Sequence, residues 1–255
     1  MTPAISPGQA LAGRLRERLV GLLPMPITHV VRVDHHEPAA VASRRRRVVA
    51  GTSVLGAVLL GTSMSAKPDS RSFYVLTLGA AGAWTFGGLA SGPLHLGWVE
   101  GHDRRLRRPV VTPVATGVGA FAFFYGSALV ARQIPFLERA ISSVLAYADE
   151  GRLPLVLLTT YANAIGEEVF FRGAFYAALP HGQAVVTSTG VYMLATVTTR
   201  NPSLVIAAAF MGSLFALQRR ASRGLQAPLL THLTWSTLML RYLPPLFRRG
   251  RPERG

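Results

Sequence analysis

Apolar runs close to the length of a bilayer constrain this chain more than anything else in it. They fall at about 48–66, 73–92, 110–131, 153–180, 183–199, 202–217 and 226–243, near the roughly 20 residues that a helix needs to cross hydrocarbon. Only 15% of the 255 residues are charged and 49% are apolar, whereas soluble domains carry about 25% charge. In lipid every backbone polar group must be satisfied within the segment, so such runs fold as helices. The expected fold is all-α: a polytopic transmembrane bundle of about seven spans. Residues 136–147 have amphipathic spacing and are expected along an interface rather than through the bilayer.

Charge gives the expected organisation. The net charge is +15, and Lys67 is the single lysine. The arginines stand between apolar runs, as in basic loops held against anionic lipid, and not on a nucleic-acid-binding face. Residues 1–47 read as a basic cytoplasmic segment, 48–243 as the bundle and 244–255 as an arginine-rich tail. Within 1–47 the apolar stretch Leu19-Val20-Gly21-Leu22-Leu23 is short, stopped by Pro24 and Pro26, and expected at an interface. His29, Asp34, His35, His36 and Glu37 lack metal-ligand spacing and read as solvated surface. Arg14, Arg16, Arg18, Arg32 and the block at 44–47 place the N-terminus in the cytoplasm of a plasma or inner membrane. Arg104, Arg105, Arg107 and Arg108, and then Arg219, Arg220 and Arg223 in a polar turn at 218–224, face the same side. With seven spans the tail falls opposite, against the positive-inside rule. The chain has no cysteine, so disulfides and thiolate chemistry are excluded.

Of twelve acidic residues, only Glu167 and Glu168 stand inside a span, with Arg172 following. Ionisable groups in lipid are costly and face a bundle interior or a wet cavity, so they point to function. Glu168 and Arg172 are spaced i,i+4 with the acid first, the favourable order for an ion pair. Glu167 is about 100° round the helix and must face something else. A carboxylate in a partly dry cavity is suited to take a proton from water; the alternative is that both acids only pin helices together. His232 and Ser236 share a face of the last span. Measured from the same membrane face at about 1.5 Å per residue, Glu167 lies about 18 Å deep and His232 about 9 Å.

These residues resemble the CPBP group of intramembrane proteases, which includes the type II CAAX prenyl endopeptidases and bacteriocin-processing or self-immunity proteins. The EExxxR motif is Glu167-Glu168-Val169-Phe170-Phe171-Arg172, followed by the small residue Gly173. The third motif is similar to Ala227-Pro228-Leu229-Leu230-Thr231-His232, and the similarity covers about 150–243. The resemblance implies that Glu167 activates the attacking water and that Glu168 and Arg172 organise its helix. It implies that His232 binds that water or stabilises the oxyanion. It also implies a peptide or membrane-protein substrate, and a divalent metal such as zinc which, if present, Glu167 and His232 would hold.

Two positions depart from the pattern. The second motif, FxxxH, reads Tyr192-Met193-Leu194-Ala195-Thr196, with Thr196 in place of histidine; His181 lies in the turn before. The third, HxxxN, has Ser236 at the asparagine. Serine still donates a hydrogen bond, but threonine is no imidazole, and its expected role is to bond back to its own helix. Two readings stay open: an intramembrane endopeptidase, and a degenerate relative that binds peptides or confers immunity. A transporter gated by the Glu–Arg pair explains neither His232 nor its lead-in.

Overall fold

The computed structural model describes residues 29–32, 37–101, 105–180 and 182–248. The expectations for Leu19 to Leu23, Asp34, His35, His36, His181 and the tail beyond 248 lie outside them. The described residues are helical almost throughout: α1 (Ala39–Ser63), α2 (Arg71–Ser91), α3 (Val111–Ala131), α4 (Pro135–Asp149), α5 (Leu153–Glu167), the π-helix π1 (Glu168–Phe175), α6 (Ala184–Val197), α7 (Pro202–Ser222), α8 (Gln226–Tyr242) and the short α9 (Pro244–Arg248). Two two-residue strands, β1 (Val99–Glu100) and β2 (Leu106–Arg107), pair antiparallel in the loop between α2 and α3.

Every apolar run becomes a helix. Among the described residues three helices, Arg71–Ser91, Val111–Ala131 and Pro202–Ser222, are long and apolar enough to cross a membrane. Ala184–Val197 is apolar but has 14 residues, and α8 has 17, below the roughly 20 of a full span. Large apolar side chains face outward, with Phe86 73%, Val186 78% and Val111 79% exposed. An apolar exterior of this kind is what lipid covers.

Local chemistry sets the helix ends. The Ser70 hydroxyl caps α2 by accepting from the Phe73 amide at 3.1 Å. Asn201 caps α7 by accepting from the Ser203 and Leu204 amides, with Pro202 in the first turn, where its missing N–H costs nothing.

Two boundaries differ from the sequence reading. Arg44 to Arg47 lie inside α1, and Arg45 is wholly buried: its guanidinium donates to Glu37 at 3.1 Å, Ser91 Oγ at 2.9 Å and the Pro93 carbonyl at 2.9 Å. The expected polar turn at 218–224 is shorter, because α7 stays helical through Ser222. Arg219 is accommodated in the helix by donating to the Arg172 carbonyl at 2.7 Å and lying 5.1 Å over the Tyr176 ring. The helix stops where Arg223 turns left-handed (φ 56°). Gly224 follows, packed so close to the Leu96–Gly97 backbone that a Cβ would overlap it.

The core sits where α2 and π1 meet. Trp84 is fully buried, 4.7 Å from the Phe170 ring and 5.0 Å from that of Phe171. Small residues permit this approach: a Cβ on Gly88 would stand 2.7 Å from Val169, and one on Gly166 2.7 Å from the Ala81 carbonyl oxygen. Close backbone packing of this kind holds helices together where no hydrophobic drive acts between them.

Candidate active site

The acidic motif spans a change in helix type. Glu167 is the last residue of α5 and Glu168 the first of π1, so the expected single α-helix over 153–180 is interrupted at the motif. π-Turns inside helices are rare, occur mostly as short pieces and are frequent at functional sites. The i,i+4 pair persists across it: Arg172 Nη1 donates to Glu168 Oε1 at 3.4 Å. Both side chains are completely buried.

Arg172 is built in from several sides. Its Nη2 donates to the Gly212 carbonyl at 3.1 Å. Its guanidinium lies 4.7 Å from the Tyr192 ring centroid and 5.1 Å from that of Phe215. A Cβ on Gly212 would come within 3.5 Å of Arg172 Nη2 and 3.1 Å of Tyr192 Cδ1, so the glycine leaves room for the guanidinium.

His232 meets the same carboxylate. Its Nδ1 is 2.9 Å from Glu168 Oε1, and its ring stacks on Phe215 at 4.8 Å. A carboxylate only accepts, so Nδ1 donates in this contact, and in the neutral tautomer that carries its proton there Nε2 is an acceptor. Glu167 points elsewhere, as helix geometry required: its Oε2 accepts from the Tyr192 hydroxyl at 2.6 Å.

Glu167 and His232 line one cavity of about 790 Å³, walled chiefly by apolar side chains from α3, α4, α5, α7 and α8. Ser236 and Asn163 line it too. The Oδ1 of Asn163 is buried without a hydrogen-bond partner. Asn163 stands four residues before Glu167, on the same face of α5, and i,i+4 spacing was the signal that would have found it. Thr196 is not part of the cavity wall. Its hydroxyl donates to the Tyr192 carbonyl at 2.8 Å, the back-bond expected of it. Tyr192 is the residue that sequence reasoning left without a role.

The donor set does not make a zinc site. Zinc takes three or four protein ligands, and Glu167 and His232 are two. Glu168 Oε1 is taken by Arg172 and His232, and its Oε2 is buried. Among the described residues no group of three or more His, Cys, Asp or Glu comes together to hold a metal. Outside the site, His29 pairs with Glu100 at 3.0 Å and Glu37 with Arg45.

Residues 149–238 match the family model described as Type II CAAX prenyl endopeptidase Rce1-like. Over this segment, about a third of the chain, the protein is similar to the CPBP family. No curated protein and no solved structure matches the chain. The CPBP segment runs from the end of α4 through most of α8 and contains Glu167, Glu168, Arg172, Tyr192 and His232. The similarity, with helices long and apolar enough to cross a membrane, supports a membrane protein related at family level to CAAX-protease-type intramembrane endopeptidases, a type whose substrates are peptides or proteins met in a lipid bilayer. Against the CPBP motifs, Tyr192 and Thr196 stand where FxxxH has phenylalanine and histidine, and Ser236 where HxxxN has asparagine.

Proposed function

We propose that the chain hydrolyses a peptide bond of a peptide or membrane-protein segment near the membrane face, with water activated by Glu167. The observation that carries the proposal is that Glu167 and His232 line one cavity, while buried Glu168, itself paired with Arg172, holds the imidazole. The water donates one hydrogen bond to Glu167 and the other to His232 Nε2. Glu167 takes its proton as the water oxygen attacks the carbonyl carbon. The oxyanion that forms is met by the Ser236 hydroxyl and the Asn163 amide, both in the cavity wall. The C–N bond then breaks, and Glu167 returns the proton to the leaving amine. The products are a carboxylic acid and an amine, and the base is regenerated. No step passes through a metal, because the side chains that converge here do not form a ligand set for one.

In this reading the N-terminus is cytoplasmic in a plasma or inner membrane. The chain before α1 and the tail after α8 flank the bundle, and α4 lies along the interface. A second reading is a peptide-binding or immunity-type relative without turnover. One observation favours it: Thr196 turns into its own helix and puts no imidazole in the cavity.

Purified protein in liposomes, incubated with a peptide library and followed by mass spectrometry, decides between them. The expected result is cleavage that Glu167→Ala abolishes. Cleavage surviving Glu167→Ala removes Glu167 as base; binding without cleavage by the folded parent favours the second reading.

A further inference from the structure

Both ends of the second motif are altered in this chain, and one of the alterations, Tyr192, meets the candidate base. Thr196 lacks the imidazole. One turn earlier on the same helix, Tyr192 carries a hydroxyl that a phenylalanine there would lack. That hydroxyl is the one that donates to Glu167 Oε2 at 2.6 Å. The ring is packed on two sides: Arg172 stands over its face at 4.7 Å and Phe171 packs against it at 4.9 Å and 63°, while a Cβ on Gly212 would crowd its edge at 3.1 Å. The Thr196 hydroxyl bonds to the carbonyl of Tyr192 itself.

A phenol held this firmly restricts the glutamate rotamer. It occupies Oε2 and leaves Oε1 with no hydrogen bond among the described residues, on a side chain that lines the cavity. Tyr192 itself is not part of the cavity wall, so it acts on a reacting water only through Glu167.

We infer that Tyr192 is a positioning residue which orients Glu167 for water activation, and that its hydroxyl takes over a task that FxxxH gives to an imidazole. The inference rests on the proposed hydrolysis and deepens it. A carboxylate held in one rotamer needs no second imidazole to place the water, so Thr196 is not a gap in the site.

Tyr192→Phe deletes one oxygen and keeps the ring packing. In the liposome assay kcat is expected to fall about 10²-fold, the scale of a loss of alignment at the reacting centre, with KM unchanged because the cavity wall is untouched. The infrared band of the Glu167 carboxyl, identified by its loss in Glu167→Gln, is expected to shift in Tyr192→Phe. A second variant with 3-fluorotyrosine at position 192 keeps ring and hydroxyl and alters only donor strength. It is expected to shift the same band and change kcat with KM held. Parental kcat in Tyr192→Phe, a rise in KM that accounts for the whole loss, or an unshifted band in the fluorotyrosine variant each overturns the assignment. Equal cleavage by the parent and Glu167→Ala sinks the hydrolysis itself and Tyr192's part in it. Cleavage that needs Glu167 but ignores the Tyr192 hydroxyl sinks Tyr192 alone.

Discussion

His232 Nδ1 lies 2.9 Å from Glu168 Oε1, so the imidazole is held by the second glutamate of the motif and not by the first. The same oxygen receives Arg172 Nη1 at 3.4 Å, and all three side chains are buried. Glu168 is therefore the anion that keeps a buried guanidinium paired and fixes the histidine tautomer. The other Glu168 oxygen, Oε2, and Arg172 Nε are buried without hydrogen-bond partners, so the network has little slack. Glu168→Ala strands Arg172 as an unpaired buried cation, and such a loss costs about 3–5 kcal/mol. Glu167→Ala strands no cation and is expected to cost clearly less. Unfolding of the two variants in the same detergent checks the order.

Removing the imidazole separates stability from chemistry. His232→Ala leaves the Glu168–Arg172 pair intact but empties the acceptor from the cavity wall. Loss of a positioned proton-handling group lowers rates by about 10²- to 10⁴-fold. The expected outcome is a fall of that size in kcat with a smaller loss of stability than in Glu168→Ala. Single-turnover assays and unfolding of the same preparation test both halves.

What the sequence could reveal of the site followed the range of its interactions. The Glu168–Arg172 pair is one helical turn long, and spacing alone exposed it. The back-bond of Thr196 to Tyr192 is equally local. His232 is 64 residues from Glu168, and which glutamate it meets depends on how α8 is rotated against π1. The shift from α to π winding at Glu168 changes that phase, and no residue there announces it; Gly173 lies inside π1, not at its start. Tyr192 was hidden for another reason. A tyrosine in a span reads first as an apolar ring, and its hydroxyl gains meaning only once Glu167 is found 2.6 Å away. Arg219 misled because a cation after an apolar run suggests a loop; its partners, the Arg172 carbonyl and the Tyr176 ring, are supplied by another helix.

Thr196 gives a sharp negative test. It stands at the histidine of FxxxH, but its hydroxyl is spent on the Tyr192 carbonyl and it is no part of the cavity wall. Thr196→Val keeps the branched shape and loses one intrahelical hydrogen bond, worth about 0.5–1.5 kcal/mol at most. Parental kcat and KM are expected in the liposome assay. A fall in kcat with KM held would mean that the hydroxyl reaches the reaction after all.

The wall behind the motif is tested at a glycine that contacts no site residue. A Cβ on Gly56 of α1 would overlap the Trp84 ring. That ring is fully buried and rigid, and it leans on Phe170 at 4.7 Å and Phe171 at 5.0 Å. Both phenylalanines lie in π1 between Glu168 and Arg172, so displacement of Trp84 pushes on the turn that sets the ion pair. Overpacking a close-packed interior costs about 1–3 kcal/mol, and Gly56→Ala is expected to lose stability on that scale and kcat with it. Gly119 in α3 has nothing within 4 Å of its would-be Cβ, so Gly119→Ala adds the same methyl without the overlap. It is expected to keep parental stability and activity. Equal losses in the two variants would show that a methyl on any helix suffices, and that Trp84 does not carry strain to the motif.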